Sequence, residues 1–526
     1  MPRWSLTLGS AMRAPLAISG ELLDRLDLAQ AVEAEVSEPI TYLPSRVAES
    51  VAGSEEVEYA DRLRARILTG ATVEPPEITW APKAAAGRYR PVAALTFEDR
   101  VTFRALVADL LLVLPPVDRS REARTAFEHG PLENESAAYV VATDVASFYS
   151  YVDHEELERQ IVDQTAKADT ALALRSLLQA LFRRSFGLPQ NYRPADRLAD
   201  LILAPVERRL LRSGLDIYRF NDDFRIAAGT WGGAFHAIEI LHAELDSVGL
   251  TVNEEKTWTL LRATYEANLG LVDRSFQTAF AVVQAEDQDI PEFDPYTGEP
   301  LEPVPAGDPE PDLDQVYAEA FETALEKRLS GDVSRTGLEA VALRRVLSSS
   351  LGQFIRTHST EALRRGPELL AAEPSMTPLY TRYLQSLVSA AIPLDFSDQL
   401  TRTQEAFRGY IPPWPQSWLA NAVIDPSVEI SDDVERWLRE FLTSEAPDAL
   451  RVRAALPLAR RGIVSVTELL RLFEEASTYA RPDVVAAFGI LPDRRDRRIA
   501  AAANSDPFLG HVFRHAEARG ADITWL

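Results

Sequence analysis

Cysteine is missing from all 526 residues. Its absence excludes disulfides, thiolate metal sites and thiol nucleophiles, and it fits a reducing compartment. Also missing is any apolar run long enough to cross a bilayer, so no membrane partner is expected. The N-terminal stretch MPRWSLTLGSAMRAPL has two early basic residues but no sustained apolar core ahead of a small-residue cleavage site, which predicts a cytoplasmic protein. Positive charge is scarce as well: 55 Lys and Arg stand against 80 Asp and Glu, a net charge of −25. Such a deficit counts against nucleic-acid binding, because phosphate backbones are gripped by surplus cations. The deficit is uneven, however. Residues 285–314 carry eleven acids, seven prolines and no base, and without them the balance is −14. A segment of that composition cannot bury enough apolar surface to fold and reads as a mobile loop or linker. The local charge of a groove therefore matters more than the total. What remains, 46% hydrophobic and 26% charged, is ordinary for a globular chain with room for two to four domains.

Apolar spacing is helical in GELLDRLDLAQAVEAEV and AESVAGSEEVEYADRLRARIL within residues 1–70. A Pro-rich step, VEPPEITWAPKAAAGRYRPVAALTF, reads as loop, short strands and a basic cluster of Lys83, Arg88 and Arg90. Residues 96–114 predict a strongly amphipathic helix, basic at Arg100 and Arg104. AAYVVATDVASFYSYV (137–152) changes to a β pattern that Asp144 interrupts. The spacing then predicts a helix from about 154 to 186, a loop at GLPQNYRP, a helix over 195–212, a hairpin at YRFNDDFRIAA, a helix over 231–250 and a strand in GLTVNEEKTWTLL. That order describes an α+β layer with an antiparallel sheet. Beyond residue 315 only helical periodicity is found, broken at intervals like those of HEAT-type repeats. The expected organisation is an N-terminal helical region (1–75), an α+β domain (76–275), the acidic segment (276–315) and an all-α repeat domain (316–526).

The hairpin carries two adjacent acids, Asp222 and Asp223, between apolar and aromatic flanks. Buried carboxylates are costly unless paired or bound to a cation, and two side by side repel. The pattern points to a divalent cation. Mg²⁺ takes oxygen ligands, and two such ions about 3.5–4 Å apart can clamp the oxygens of an in-line phosphoryl displacement. Asp144, at its strand interruption, is the natural third carboxylate.

With these segments in order, residues 80–270 resemble the fingers and palm of reverse transcriptases. TDVASFYSYVDHEEL (143–157) is similar to motif A, GLPQNYRPADRLAD (187–200) to motif B, FNDD (220–223) to the YxDD box and GLTVNEEKT (249–257) to motif D, while RYRPVAALTFEDR (88–100) resembles the finger motifs. The resemblance implies that Asp144 and Asp222 hold two Mg²⁺ ions (or Mn²⁺), with Asp223 in support. It implies that Tyr149 lies under the sugar and excludes a ribose 2′-hydroxyl, that Phe148 beside it also belongs to the substrate site, and that Gln190 lies near the nascent base pair. Lys256 would protonate the departing pyrophosphate, and Lys83, Arg88 and Arg90 would neutralise the triphosphate. The departures are Phe220 for the usual tyrosine, Asn191 for the glycine that follows GLPQ, and Ala195, followed by Asp196, at the position where a small polar residue is common. Losing the flexible glycine implies altered or absent template handling.

No His/Asn nuclease signature or cysteine zinc site follows the core. A core fused to helical repeats resembles the abortive-infection and related defence-associated bacterial reverse transcriptases, in which such repeats replace the thumb. That resemblance implies antiphage defence, dNTP polymerisation without a template or on a non-coding RNA, a single-stranded DNA product primed from and attached to protein, and a homo-oligomer. Tyr42, in PITYLPS, is a priming candidate, with Tyr380 or Tyr383 of the helical half as a second. Two other readings stay open: a conventional templated enzyme of the retron or group II intron type, and a non-catalytic nucleic-acid-binding scaffold.

Overall fold

The computed structural model describes residues 14–38, 40–70, 72–83, 88–280, 311–331, 337–443, 445–492 and 496–520. The acidic stretch expected to be mobile, 285–314, lies outside these residues except for its last four, which open the helix Pro311–Ser330. The described strands are β1 (Ala14–Pro15), β2 (Thr72–Val73), β3 (Glu77–Pro82), β4 (Tyr89–Ala94), β5 (Tyr139–Asp144), β6 (Asp216–Phe220), β7 (Asp223–Ala228) and β8 (Trp258–Leu261). Two compact units share the chain. One holds residues 1–38, 52–76 and 95–266; the other holds 39–51, 77–94 and 267–526.

The first unit is built around an antiparallel sheet of order β6-β7-β5-β8. Val140 and Val141 of β5, and Phe224 and Ile226 of β7, are fully buried, which suits β-branched and aromatic residues on a covered pleated surface. The hairpin turn between β6 and β7 sets Asn221 at φ +55°, a left-handed conformation that Asn tolerates better than most residues. Helices cover the sheet. Trp231–Asp246 starts at the Thr230 cap and packs on β5 and β7, and Arg193–Arg212 packs against β6.

One expected element divides. The stretch read as a single helix from 154 to 186 is two, His154–Thr165 and Ala168–Phe182. Ala166 closes the first at φ +57°, and the Thr165 hydroxyl accepts from the Lys167 amide. A threonine side chain competing for backbone groups ends a helix that apolar periodicity alone would continue. A helix not anticipated, Arg121–Glu133, packs against β6 and β7 from the Ser120 cap.

Glu35 ties the N-terminal helix Leu28–Ser37 to this core. It is fully buried, accepts from Arg104 and from the Tyr192 hydroxyl, and lies 3.5 Å from Arg100. The basic face expected on residues 96–114 therefore turns inward onto an acid within this unit.

The second unit contains the β3–β4 hairpin, paired from Glu77↔Ala94 to Pro82↔Tyr89, and the C-terminal helices. Leu338–Thr357, Thr377–Ser389, Pro413–Ala422, Asp448–Arg460, Arg481–Ile490 and Pro507–Arg519 pack each on the next, while the helices between them in sequence form a second row. One helix of this first row is buried all round: every residue from Ala449 to Ala459 is buried, Arg451 and Arg453 among them. Helices of that kind need partners on every side.

Glu35→Ala takes away the acid shared by the buried Arg100 and the partly buried Arg104, which keeps Glu38. We expect a loss of about 3–5 kcal/mol, the usual cost of removing one partner from a buried ion pair. The shift of the urea midpoint measures it.

Candidate active site

Three carboxylates meet at one end of the sheet. Asp144 is the last residue of β5 and stands directly opposite Asp223, the first residue of β7. Asp222 occupies the turn, and its carbonyl accepts from the Val145 amide at 3.1 Å. On the other side of β5 the Asn253 amide donates to the Asp144 carbonyl (2.8 Å) and the Ala146 amide to Thr251 (2.8 Å). The segment read as motif D is thereby laced to the end of β5.

The electrostatics are those of a site short of positive charge. Asp144 is only 8% exposed, and its Oδ1 is buried without a hydrogen-bond partner. Lys256 Nζ bonds its Oδ2. Burial and then the Asp223 charge push the Asp222 carboxyl up to about 6, and burial raises Asp223 as well. Arg124 lies 3.7 Å from Asp223 and over the Phe220 ring. The three acids are not drawn into a single-ion cluster. An orphaned carboxylate oxygen and two carboxyls with raised proton affinity nonetheless fit oxygen-seeking divalent cations such as Mg²⁺ or Mn²⁺.

Tyr149 sits on the short helix Phe148–Tyr151 that follows Asp144. Phe148 is buried and meets the Tyr149 ring edge-on at 5.5 Å, so it supports that ring from the core and is not open to a substrate. The GLPQ loop lies along the same segment, with Leu188 N donating to Tyr149 O (2.7 Å) and Gly187 N to Val152 O (2.8 Å). Gln190 Nε2 donates to Ser150 Oγ at 3.1 Å. Asn191 adopts φ +56°. The left-handed backbone that a glycine would supply is therefore kept at this position.

Lys83, Arg88 and Arg90 belong to the β3–β4 hairpin of the second unit, not to the unit that holds the aspartates. Arg90 Nη1 donates to the Tyr42 hydroxyl at 2.6 Å, with its guanidinium over that ring. Trp414 Nε1 donates to the Tyr42 carbonyl at 2.7 Å, so Tyr42 is packed within its unit. Tyr380 and Tyr383 are buried, their hydroxyls given to Gln399 and to the Ser359 carbonyl. Neither is presented as a nucleophile.

The sequence reading gave no role to the polar groups around Tyr149. Its hydroxyl donates to Asp196, and Arg119, Asp200 and Arg219 continue from there. Only the four-residue spacing of Asp196 and Asp200 on one helix hinted at them, since Arg119 lies about eighty residues away in a loop.

Residues 81–283 match the family model for reverse transcriptase (RNA-dependent DNA polymerase). The matched segment contains β4 to β8, the three aspartates and Lys256. Among solved structures, telomerase from Candida albicans with a fragment of telomeric RNA is similar at 9% identity and a TM-score of 0.28, over 71% of this chain and 65% of that one. The chain thus spans about two thirds of the length of that telomerase chain. No curated protein matches.

Cation binding should follow the Asp222 carboxyl. A proton competes with the metal, so Mn²⁺ affinity, read by electron paramagnetic resonance, should fall as the pH drops below about 6. In the metal-free protein the sign reverses: the folded state binds this proton more tightly than an unfolded carboxyl near 3.8, so this group favours folding as the pH falls from above 6 toward 4. Asp222→Asn should weaken Mn²⁺ binding roughly tenfold or more.

Proposed function

We propose that this chain is a DNA polymerase of the reverse transcriptase type, adding deoxynucleotides to a hydroxyl at Asp144, Asp222 and Asp223. The observation that carries the reading is the meeting of these acids at one end of the sheet, with Asp144 Oδ1 buried and unbonded. Asp144 and Asp222 hold two Mg²⁺ or Mn²⁺ ions, with Asp223 in support. When bound, the ions supply the positive charge that an in-line phosphoryl transfer requires. The attacking hydroxyl loses its proton to solvent as its oxygen bonds to the α-phosphorus of a dNTP, the α–β phosphoanhydride bond breaks, and pyrophosphate leaves. Lys256, beside Asp144, gives the leaving group its proton. Tyr149, backed by Phe148, bounds the sugar and disfavours a 2′-hydroxyl. Gln190 borders the same site from the GLPQ loop.

The reading extends to a role in antiphage defence, with synthesis primed by a hydroxyl of the protein and run without a template. HEAT-like repeats take the place of a thumb, and the chain works as a homo-oligomer. Support for template-free synthesis is the departure of motif B from the family pattern at Asn191 and Ala195. For the priming hydroxyl the reading keeps Tyr42, which must first leave Arg90. A templated enzyme is the second reading, favoured by the retained left-handed backbone at Asn191.

One experiment separates these outcomes. Purified protein is incubated with Mg²⁺ and labelled dNTPs, alone and with a primer–template. Label migrating with the protein band in the absence of nucleic acid is the expected result. Label only with primer–template selects the second reading. Incorporation in neither case, together with full phage protection by Asp222→Ala, would leave a non-catalytic scaffold. If the polymerase reading holds, Asp222→Ala should lower incorporation by a factor of roughly a thousand, the order expected when an electrostatic element of a transition state is removed.

A further inference from the structure

The Tyr149 ring is held from its far end. Its hydroxyl donates to Asp196 Oδ1 at 2.5 Å, and burial together with the Asp196 charge pushes the phenol's pKa well up, so it remains a donor. Asp196 is itself fixed on two sides. Arg119 lies 3.4 Å from its carboxylate, donates to its carbonyl at 3.0 Å, and bonds Asp200 Oδ2 at 2.8 Å. Arg219 Nη1 donates to Asp200 Oδ1 at 3.2 Å and to the Asn221 carbonyl at 2.8 Å, while its Nε holds Glu207. Asn221 immediately precedes Asp222.

A continuous polar path therefore runs from the Tyr149 hydroxyl to the turn that carries Asp222. It links the helix after β5, the loop before Arg121–Glu133, the helix Arg193–Arg212 and β6. Part-buried ion pairs of this kind add little net stability over apolar packing, because desolvation cancels most of the attraction. What a fully partnered network does fix is geometry. A phenylalanine ring at position 149 would fill the same space but could swing about χ1 and χ2. The tyrosine cannot swing without breaking a charge-assisted hydrogen bond.

We infer that Asp196 is a positioning residue for sugar discrimination: by holding the Tyr149 hydroxyl it keeps the ring in the orientation that excludes a 2′-hydroxyl, in register with the turn of Asp222. The inference rests on the polymerase reading above. It assigns Asp196, the acid that follows Ala195 in the matching motif, a task separate from template contact.

The test compares dCTP with CTP on the full-length protein, as the ratio of their kcat/KM values, for the wild type, Asp196→Ala, Asp196→Asn, Tyr149→Phe, Tyr149→Ala and the double variant Asp196→Ala/Tyr149→Phe. Tyr149→Ala should relax discrimination most. Asp196→Ala and Tyr149→Phe should each relax it roughly tenfold, mainly through a lower KM for CTP, and the double variant should go no further than either alone. Asp196→Asn, which can still accept from the phenol, should restore part of the ratio. If Tyr149→Ala relaxes the ratio but Asp196→Ala and Tyr149→Phe lower incorporation of both nucleotides equally, Asp196 is only structural; the inference falls and the polymerase reading stands. If the two single effects add fully in the double variant, the residues act separately and the inference also falls. If the wild type incorporates neither nucleotide, it is the polymerase reading that fails. Tyr149→Phe removes the same hydrogen bond while leaving Asp196 and its arginine partner in place, so misfolding of an Asp196 variant does not spare the proposal.

Discussion

Asp144 stands opposite Asp223 because β5 and β7 pair in one register, and everything proposed for the site depends on that register. A slip of one residue would turn every side chain of a strand to its other face, carrying an acid into the core and a core residue to the open end. Phe224 and Ile226 oppose the slip, since both are fully buried while Arg225 between them is not. The hairpin adds a second lock. Asn221 takes the left-handed turn position, and the Asp222 carbonyl is bonded to the Val145 amide. Apolar packing thus pays for placing three like charges together, at the one edge of the sheet where a cation can relieve them.

Charge around the site follows from the same constraint. In a chain with 80 acids, only four of the 55 cationic residues are lysines. One of the four, Lys256, meets Asp144. A compact ammonium on a flexible stem can leave a carboxylate and carry a proton elsewhere, which the rigid guanidinium fork does not do. The arginines are used for that rigidity. Arg119 bridges the Asp196 carbonyl and Asp200, Arg219 bridges Asp200, Glu207 and the Asn221 carbonyl, and together they hold Asp196, Asp200 and the turn in fixed relation. Net charge gave no sign of this, because the relevant cations are spent locally on acids.

Arginine plays a similar part in the second unit. Arg46 bonds Asp483, and Arg453 donates to the Pro44 carbonyl, all three side chains being buried. Together with the Trp414 bond to Tyr42, these contacts fasten residues 39–51 to the C-terminal helices. Glu77, at the start of the β3–β4 hairpin, accepts from the first amides of the helix Asp448–Arg460. Short pieces from the first hundred residues are in this way incorporated into a fold made mostly of later ones.

The sequence by itself determined the palm-like order of strand, helices, hairpin, helix and strand, and with it the three aspartates and Lys256. These are local features: period-2 alternation, an Asx-rich turn and short spacings survive being read one segment at a time. The break at Ala166 was less legible, since helical periodicity runs through it and a single threonine decides where backbone bonds go. Only the tertiary structure decided which unit takes each piece, that Phe148 faces inward, that Asn191 keeps a glycine-like backbone, and that Tyr149 is bound to Asp196. Those outcomes depend on groups 40 to 400 residues apart, such as Tyr149 with Asp196 or Arg453 with Pro44. No periodicity encodes such pairs; burial selects them, because a polar group taken out of water must find a partner wherever the chain brings one.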